Sequence, residues 1–126
     1  MFEQSYHFSI EAAHELGDAV GRDPDHPYTH IHGHSFEITV TLRGEKLSSA
    51  GWLTDFATVK TACQDIHARL DHRFLNDIDG LERPTLEHLA KWIFDNLKPA
   101  LPALAAVEAA RPSLRERVRY EPALLK

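Results

Sequence analysis

The sequence predicts an α+β domain of order ββααββ, with one antiparallel four-stranded sheet and two helices on one of its faces. Apolar residues alternate with polar ones over residues 2–14 and again over 32–43, as they do in strands that bury one face. Apolar residues then recur at helical spacing over residues 54–72 and 85–97. The chain has 126 residues, which suits a single domain spanning residues 1–126.

The first two strands are predicted from their alternation. One face of the first carries Phe2, Tyr6, Phe8, Ile10, Ala12 and His14, and one face of the second carries Phe36, Ile38, Val40 and Leu42. Residues 15–31 between them are rich in Gly, Asp and Pro and predict a loop. A loop of this length in a small domain is often functional.

Two helices follow, each with a capping residue and an apolar stripe. Thr54 or Asp55 is the expected N-cap of the first helix, whose stripe is Phe56, Val59, Cys63, Ile66 and Leu70. Thr85 is the expected N-cap of the second, whose stripe is Leu86, Leu89, Ile93 and Leu97. Pro99 then marks the end of that helix.

The tail leaves two interpretations open. Residues 103–110 favour a helix by propensity, or a strand if the sheet requires one. Residues 115–122 alternate weakly around Val118 and Tyr120 and predict a last strand. The order ββααββ takes both tail segments as strands.

Composition and charge exclude several classes of protein. The chain is 43% hydrophobic and 26% charged, as in soluble globular proteins. Its net charge of −5 argues against a general nucleic-acid surface, although a local basic pocket for a small phosphorylated ligand stays open. No stretch approaches the roughly 18 apolar residues of a membrane span, and the N-terminus does not resemble a signal peptide. A lone cysteine, Cys63, excludes an intrachain disulfide and suits the cytoplasm.

The histidines form the main candidate site. Nine are present, four of them between residues 26 and 34. His32 and His34 share the parity of the second strand's apolar face, and His14 shares that of the first. If the two strands pair as neighbours, the three imidazoles converge. Three neutral imidazoles with an open fourth position are the usual arrangement of a catalytic zinc site.

Weaker signals lie elsewhere. Asp71 and His72 can act together in acid/base chemistry, although these residues alone favour a solvated helix end. Thr85 and Glu87 lie at a helix N-terminus, where ordinary capping is the simpler interpretation. Tyr28, four positions before the H-G-H motif, is a poor base because its reference pKa is near 10.

Five stretches together resemble the 6-pyruvoyl-tetrahydropterin synthase family, and most of all its bacterial 6-carboxy-tetrahydropterin synthases of queuosine biosynthesis. They are FSIEAAHEL, HIHGHSFEITVTLRGE, GWLTDFATVK, RLDHRFLNDI and PTLEHLAKWIFDNLKP. The resemblance implies the tunnelling fold, in which the sheets of three subunits close into a barrel and two trimers stack into a homo-hexamer. Active sites of the family lie between subunits.

The resemblance also implies a cofactor and a reaction. It assigns Zn²⁺ to His14, His32 and His34, and it places Thr85 and Glu87 near the pterin pocket. The implied substrate is 7,8-dihydroneopterin triphosphate, converted to 6-carboxytetrahydropterin with release of acetaldehyde and triphosphate.

Asp71 and His72 match the family's acid/base pair, but two other positions depart from the family pattern. Tyr28 stands where the family has its catalytic cysteine, and we expect it to act with Asp71 and His72 as a catalytic residue in an altered role. Arg111 stands where a glutamate grips the pterin ring, and a guanidinium accepts no hydrogen bonds; Glu108 fits that role only if the alignment slips by three positions. The alternatives are therefore a family member with an altered pterin-type substrate, and one that has lost its activity.

Overall fold

A computed structural model describes residues 1–17 and 30–122 and shows one four-stranded antiparallel sheet of order β1-β2-β3-β4. The strands are β1 (Phe2–His14), β2 (His32–Gly44), β3 (Leu104–Arg111) and β4 (Glu116–Tyr120). Helices α1 (Phe56–Leu70) and α2 (Leu86–Leu97) lie between β2 and β3 in the chain, and short 3₁₀ turns span Leu75–Asp77 and Pro112–Leu114. The predicted α+β class and the order ββααββ are confirmed.

The core lies between one face of the sheet and the two helices. Along β1 and β2 the predicted face packs towards the core, with Ile10, Phe36, Ile38, Val40 and Leu42 at most 1% exposed and Tyr6 and Phe8 partly buried. Phe2 is the exception, because half of its surface is exposed. Its partner across the sheet is Gly44, which has no side chain to cover the ring.

The helices begin at the predicted caps. The Asp55 carboxylate accepts a hydrogen bond from the backbone N–H of Ala57 at 2.9 Å, which identifies Asp55 rather than Thr54 as the cap of α1. Thr85 caps α2. The predicted stripes are buried except for Phe56, which is 50% exposed. Phe56 begins α1 one turn before the first buried residue, Val59, and so lies beyond the stretch that the sheet covers.

Residues 104–111 form a strand, so the helical interpretation of this segment was wrong. β3 pairs with β2 through Ile38↔Ala109 and Val40↔Val107, and then with β4. The backbone groups along the edge of β2 need hydrogen-bond partners, and β3 supplies them. That requirement outweighs the modest helix propensity of an alanine-rich segment.

Part of the predicted loop at 15–31 lies outside the described residues, which resume at residue 30. The short flanking segments 15–17 and 30–31 contain no strand. Among the described residues, neither helix has the length and hydropathy needed to cross a membrane.

Candidate metal centre and active site

Three imidazoles meet at the ends of β1 and β2. The strand register places His14 opposite His32 and Ala12 opposite His34. The three pairs of ring centroids are separated by 4.6, 4.8 and 5.0 Å. One nitrogen from each ring lies within 4.8 Å of the other two, so the cluster has the spacing to bind a single metal ion.

Backbone carbonyls fix the orientation of two of these rings. Nδ1 of His14 donates to the carbonyl oxygen of Pro84 at 2.9 Å, and Nδ1 of His32 donates to that of His30 at 2.8 Å. A carbonyl can only accept, so each Nδ1 carries a proton, and in the neutral form of each ring Nε2 has the lone pair. This is the tautomer that binds a metal through Nε2, with the other nitrogen held by an outer partner.

The buried nitrogens fit a metal ion. Among the described residues, Nε2 of His14 and Nε2 of His34 are buried and have no hydrogen-bond partner. A buried acceptor without a partner is costly, and a divalent cation at this position would satisfy both atoms. Three imidazole nitrogens suit zinc and also other divalent transition metals.

The rings are poised to bind a cation at neutral pH. Burial lowers the pKa of His14 to about 4, although the hydrogen bond to Pro84 opposes the shift. Burial also lowers the pKa of His34 to about 4, with further contributions from His32 and the positive charge of Arg111. Both rings are therefore neutral at pH 7, so a metal does not have to displace protons from them.

Asp71 and His72 form a hydrogen-bonded pair at the end of α1. Nδ1 of His72 donates to Oδ2 of Asp71 at 2.7 Å. The backbone N–H of Glu11 donates to Oδ1 of Asp71 at 2.8 Å, and the N–H of His72 donates back to the Glu11 carbonyl at 2.6 Å. The hydrogen bond from Glu11, followed by that from His72, lowers the pKa of Asp71. The carboxylate is thus ionised and orients the imidazole.

The segment that carries this pair runs along the outer edge of β1. The N–H of Ala13 donates to the Arg73 carbonyl at 3.0 Å, and Ala13 forms a parallel bridge with Phe74. A cavity of 530 Å³ lies here, and both His34 and His72 line it. One ring of the metal cluster and the imidazole of the Asp71 pair therefore face the same space.

The structure adds partners that the sequence prediction missed. Glu11 and Pro84 act through backbone atoms, so their side chains give no signal in the sequence. His67 is different, because its Nε2 lies 3.8 Å from Oδ2 of Asp71, one helical turn away. That i, i+4 spacing is visible in the sequence.

Two other predicted site residues, Thr85 and Glu87, lie at the N-terminus of α2. Thr85 accepts the N–H of His88 at 3.2 Å and follows Pro84 directly, so the cap of α2 also positions the carbonyl that holds His14. Glu87 is exposed in the first turn of α2, where its charge complements the helix dipole. Tyr28 lies outside the described residues.

Arg111 ends β3 on the side of the sheet that carries the imidazoles. Its Nη2 lies 2.9 Å from Oε1 of Glu116 on β4, and only 11% of its side chain is exposed. Its charge lowers the pKa of both His14 and His34, so the guanidinium lies near the cluster. Cys63, in contrast, is buried in α1, and burial raises the pKa of its thiol to about 11. That thiol is not a base at neutral pH.

Known proteins resemble this chain along most of its length. The sequence profile of the 6-pyruvoyl tetrahydropterin synthase family matches residues 3–123. A 6-carboxy-5,6,7,8-tetrahydropterin synthase of Synechocystis is 39% identical over 80% of this chain and 79% of its own. A dihydroneopterin monophosphate aldolase of Pyrococcus furiosus is 32% identical over 77% of this chain and 75% of its own.

A solved structure shares the fold. The 6-pyruvoyl tetrahydropterin synthase of Caenorhabditis elegans superposes with a TM-score of 0.85, covering 97% of this chain and 96% of its own, at 24% identity. Together with the profile match and the identity to curated relatives, this agreement shows that the chain belongs to the 6-pyruvoyl tetrahydropterin synthase family.

Proposed function

We propose that the chain is a zinc-dependent carbon–carbon lyase, a 6-carboxy-5,6,7,8-tetrahydropterin synthase. The reaction takes 7,8-dihydroneopterin triphosphate and one water to 6-carboxy-5,6,7,8-tetrahydropterin, acetaldehyde and triphosphate. The observation that carries the proposal is the shared cavity, because His34 of the metal cluster and His72 of the acid/base pair both line it. The Synechocystis relative supports the choice of reaction.

We assign the metal to His14, His32 and His34. When bound there, zinc supplies Lewis acidity, which lowers the pKa of a hydroxyl on the substrate side chain. The carbonyl oxygens of Pro84 and His30 keep two of the rings in the ligating tautomer.

We assign the proton transfer to His72. The Nδ1–H group of His72 donates a hydrogen bond to Asp71. In the neutral ring, Nε2 therefore has the lone pair that accepts a proton from the substrate. The ionised Asp71 then stabilises the resulting imidazolium, and the Glu11 N–H keeps the carboxylate in place. An acid/base group positioned in this way contributes about 10²–10⁴-fold to a rate.

The proposed assembly is a homo-hexamer of two stacked trimers. β1 and β4 are the outer strands of the sheet, and outer strands offer backbone groups for pairing with another chain. Exposed apolar side chains at Phe2, Trp52 and Phe56 add surface that a neighbouring subunit would cover. Sedimentation equilibrium tests the assembly, since the expected mass is six times the 14.3 kDa of one chain.

Turnover tests the proposed reaction. The zinc-loaded protein is incubated with 7,8-dihydroneopterin triphosphate, and the pterin product and acetaldehyde are measured by mass spectrometry and by a reductase assay. Both products are expected in equal amounts, and His34→Ala is expected to form neither. Absence of both products with zinc fully loaded would refute the proposed reaction.

A second candidate is the aldol cleavage of a phosphorylated dihydroneopterin. The Pyrococcus furiosus relative, a dihydroneopterin monophosphate aldolase, supports it. The same assay with dihydroneopterin monophosphate separates the candidates, since the masses of the pterin products differ.

A further inference from the structure

A second cavity adjoins the one that His34 and His72 share. Its volume is 500 Å³, which is within the range of pockets that bind small molecules. His72, Arg73 and Phe74 line both cavities. We call this second space the basic cavity, and its other lining residues are Arg69, Asp77 and Ile78. His72 therefore lies on the wall between the metal cluster and the basic cavity.

The backbone of Arg73 has a fixed position beside β1. Its N–H donates to the Leu70 carbonyl at 3.2 Å, and its carbonyl accepts from the N–H of Ala13 at 3.0 Å. The residue is exposed, and within residues 1–17 and 30–122 its guanidinium has no hydrogen bond and no ion pair. A guanidinium has five N–H donors, so those of Arg73 are available to a bound molecule.

Arg69 is oriented by neutral groups, which leave its charge uncompensated. Its Nη2 donates to Oδ1 of Asn96 at 3.2 Å, and its guanidinium carbon lies 4.7 Å from the centre of the Trp92 ring. Asp77 lines the same cavity, but in the part of the chain that the structure describes it forms no ion pair with Arg69 or Arg73. The basic cavity thus has a local excess of positive charge in a chain whose net charge is −5.

Resting on the proposed function, we propose that the basic cavity binds the phosphates of the substrate, with Arg73 and Arg69 as the donors. The planar fork of a guanidinium matches phosphate oxygens and can bind two of them at once. In 7,8-dihydroneopterin triphosphate the phosphates are attached to the end of the same short side chain that carries the hydroxyls. That side chain would extend from the metal cluster past His72 to the two arginines. Binding of the phosphates would then hold the reacting carbons beside the His72 ring.

Two unreactive ligands test this site. Neopterin and neopterin triphosphate have the same oxidised ring and the same side chain, and they differ only in the phosphates. Their intrinsic fluorescence allows each to be titrated against the zinc-loaded protein. The wild type is expected to bind the triphosphate roughly 10- to 100-fold more tightly, as for hydrogen bonds between charged groups. Zinc content is measured after each titration, and neopterin monophosphate, a weaker chelator, repeats the test with less competition for the metal.

Variants identify the residues that bind the phosphates. Arg73→Gln and Arg69→Gln are each expected to reduce the preference for the triphosphate roughly 3- to 10-fold and to leave the affinity for neopterin unchanged. The two residues belong to different segments, so each variant provides the test if the other fails to fold. Arg73→Lys should retain part of the preference, because it keeps the charge without the fork. Lys60→Gln is the matched control, since it removes one exposed positive charge from α1 outside the basic cavity.

Several results would overturn the inference. They are equal affinity of the wild type for the two ligands, no binding of either ligand, and a preference that both glutamine variants retain in full. A preference that falls equally in Lys60→Gln would also overturn it, because net charge alone would then explain the effect. The oxidised ligands require no turnover, so a failed lyase assay does not affect the result. Conversely, normal turnover combined with a full preference in both glutamine variants would refute the role of the two arginines alone.

Discussion

Asp71 accepts a hydrogen bond from the backbone of Glu11 at one carboxylate oxygen and from the ring of His72 at the other, at 2.8 and 2.7 Å. Glu11 belongs to β1, the strand that ends at His14. The acid/base pair and one ring of the metal cluster are therefore positioned by the same strand.

Asp71→Asn is predicted to lower kcat by about 100-fold. The amide can still accept from Glu11, but it removes the negative charge that stabilises protonated His72. Steady-state kinetics measure the effect, and zinc content should stay at the wild-type value. Asp95→Asn is the control, since Asp95 forms an exposed ion pair with Lys91 at 2.7 Å. Wild-type kcat in Asp71→Asn would contradict the assigned role.

His34→Ala is predicted to reduce zinc affinity and to abolish thermal stabilisation by zinc. A ligand that binds only the folded state stabilises it by about 2.7 kcal/mol at 100 times its dissociation constant. Chelator competition and melting curves with added zinc measure the two effects. His7→Ala is the matched control, because His7 lies on the opposite face of β1 with its side chain 53% exposed. Equal zinc affinity in the two variants would disprove the metal assignment.

The metal-free protein is predicted to lose stability as pH falls from 6.5 towards 4. The pKa of His14 and that of His34 are each about 4 in the fold, against 6.5 in the unfolded chain. The unfolded chain therefore binds more protons across this window, and stability rises with pH. For the fully buried His14, the loss is on the order of 3 kcal/mol.

Urea unfolding at a series of pH values measures this loss. The comparison is with His34→Gln, which removes one of the titrating rings and should show a shallower dependence between pH 6.5 and 4. Identical pH profiles for the variant and the wild type would show that His34 does not titrate as described.

Thr85→Ala is predicted to lower the free energy of unfolding by about 1 kcal/mol, because α2 loses its N-cap. Thr85→Ser should retain most of that stability, since the hydroxyl still accepts the N–H of His88. Urea unfolding measures both. Thr61→Ala on the exposed side of α1 is the control, with an expected change within about 0.5 kcal/mol. A Thr85→Ala protein as stable as the wild type would exclude the capping role.

The strand periodicity in the sequence was enough to predict the three histidines of the candidate metal centre. Period-two alternation assigned His14, His32 and His34 to the apolar faces of two strands before any pairing was known. Side-chain direction along a strand is a local property of the backbone, which explains why this prediction needed no tertiary information. The caps at Asp55 and Thr85 are local in the same sense.

The other features of the fold and the candidate site depend on contacts between residues that are far apart in the sequence. The register that places His14 opposite His32, the strand at residues 104–111 and the exposure of Phe56 all depend on what packs alongside. The sequence alone favoured a solvated end of α1 at Asp71, because the partner there is a backbone N–H sixty residues away. Backbone donors and acceptors are the same at every position except proline, so only the folded chain determines which of them meet.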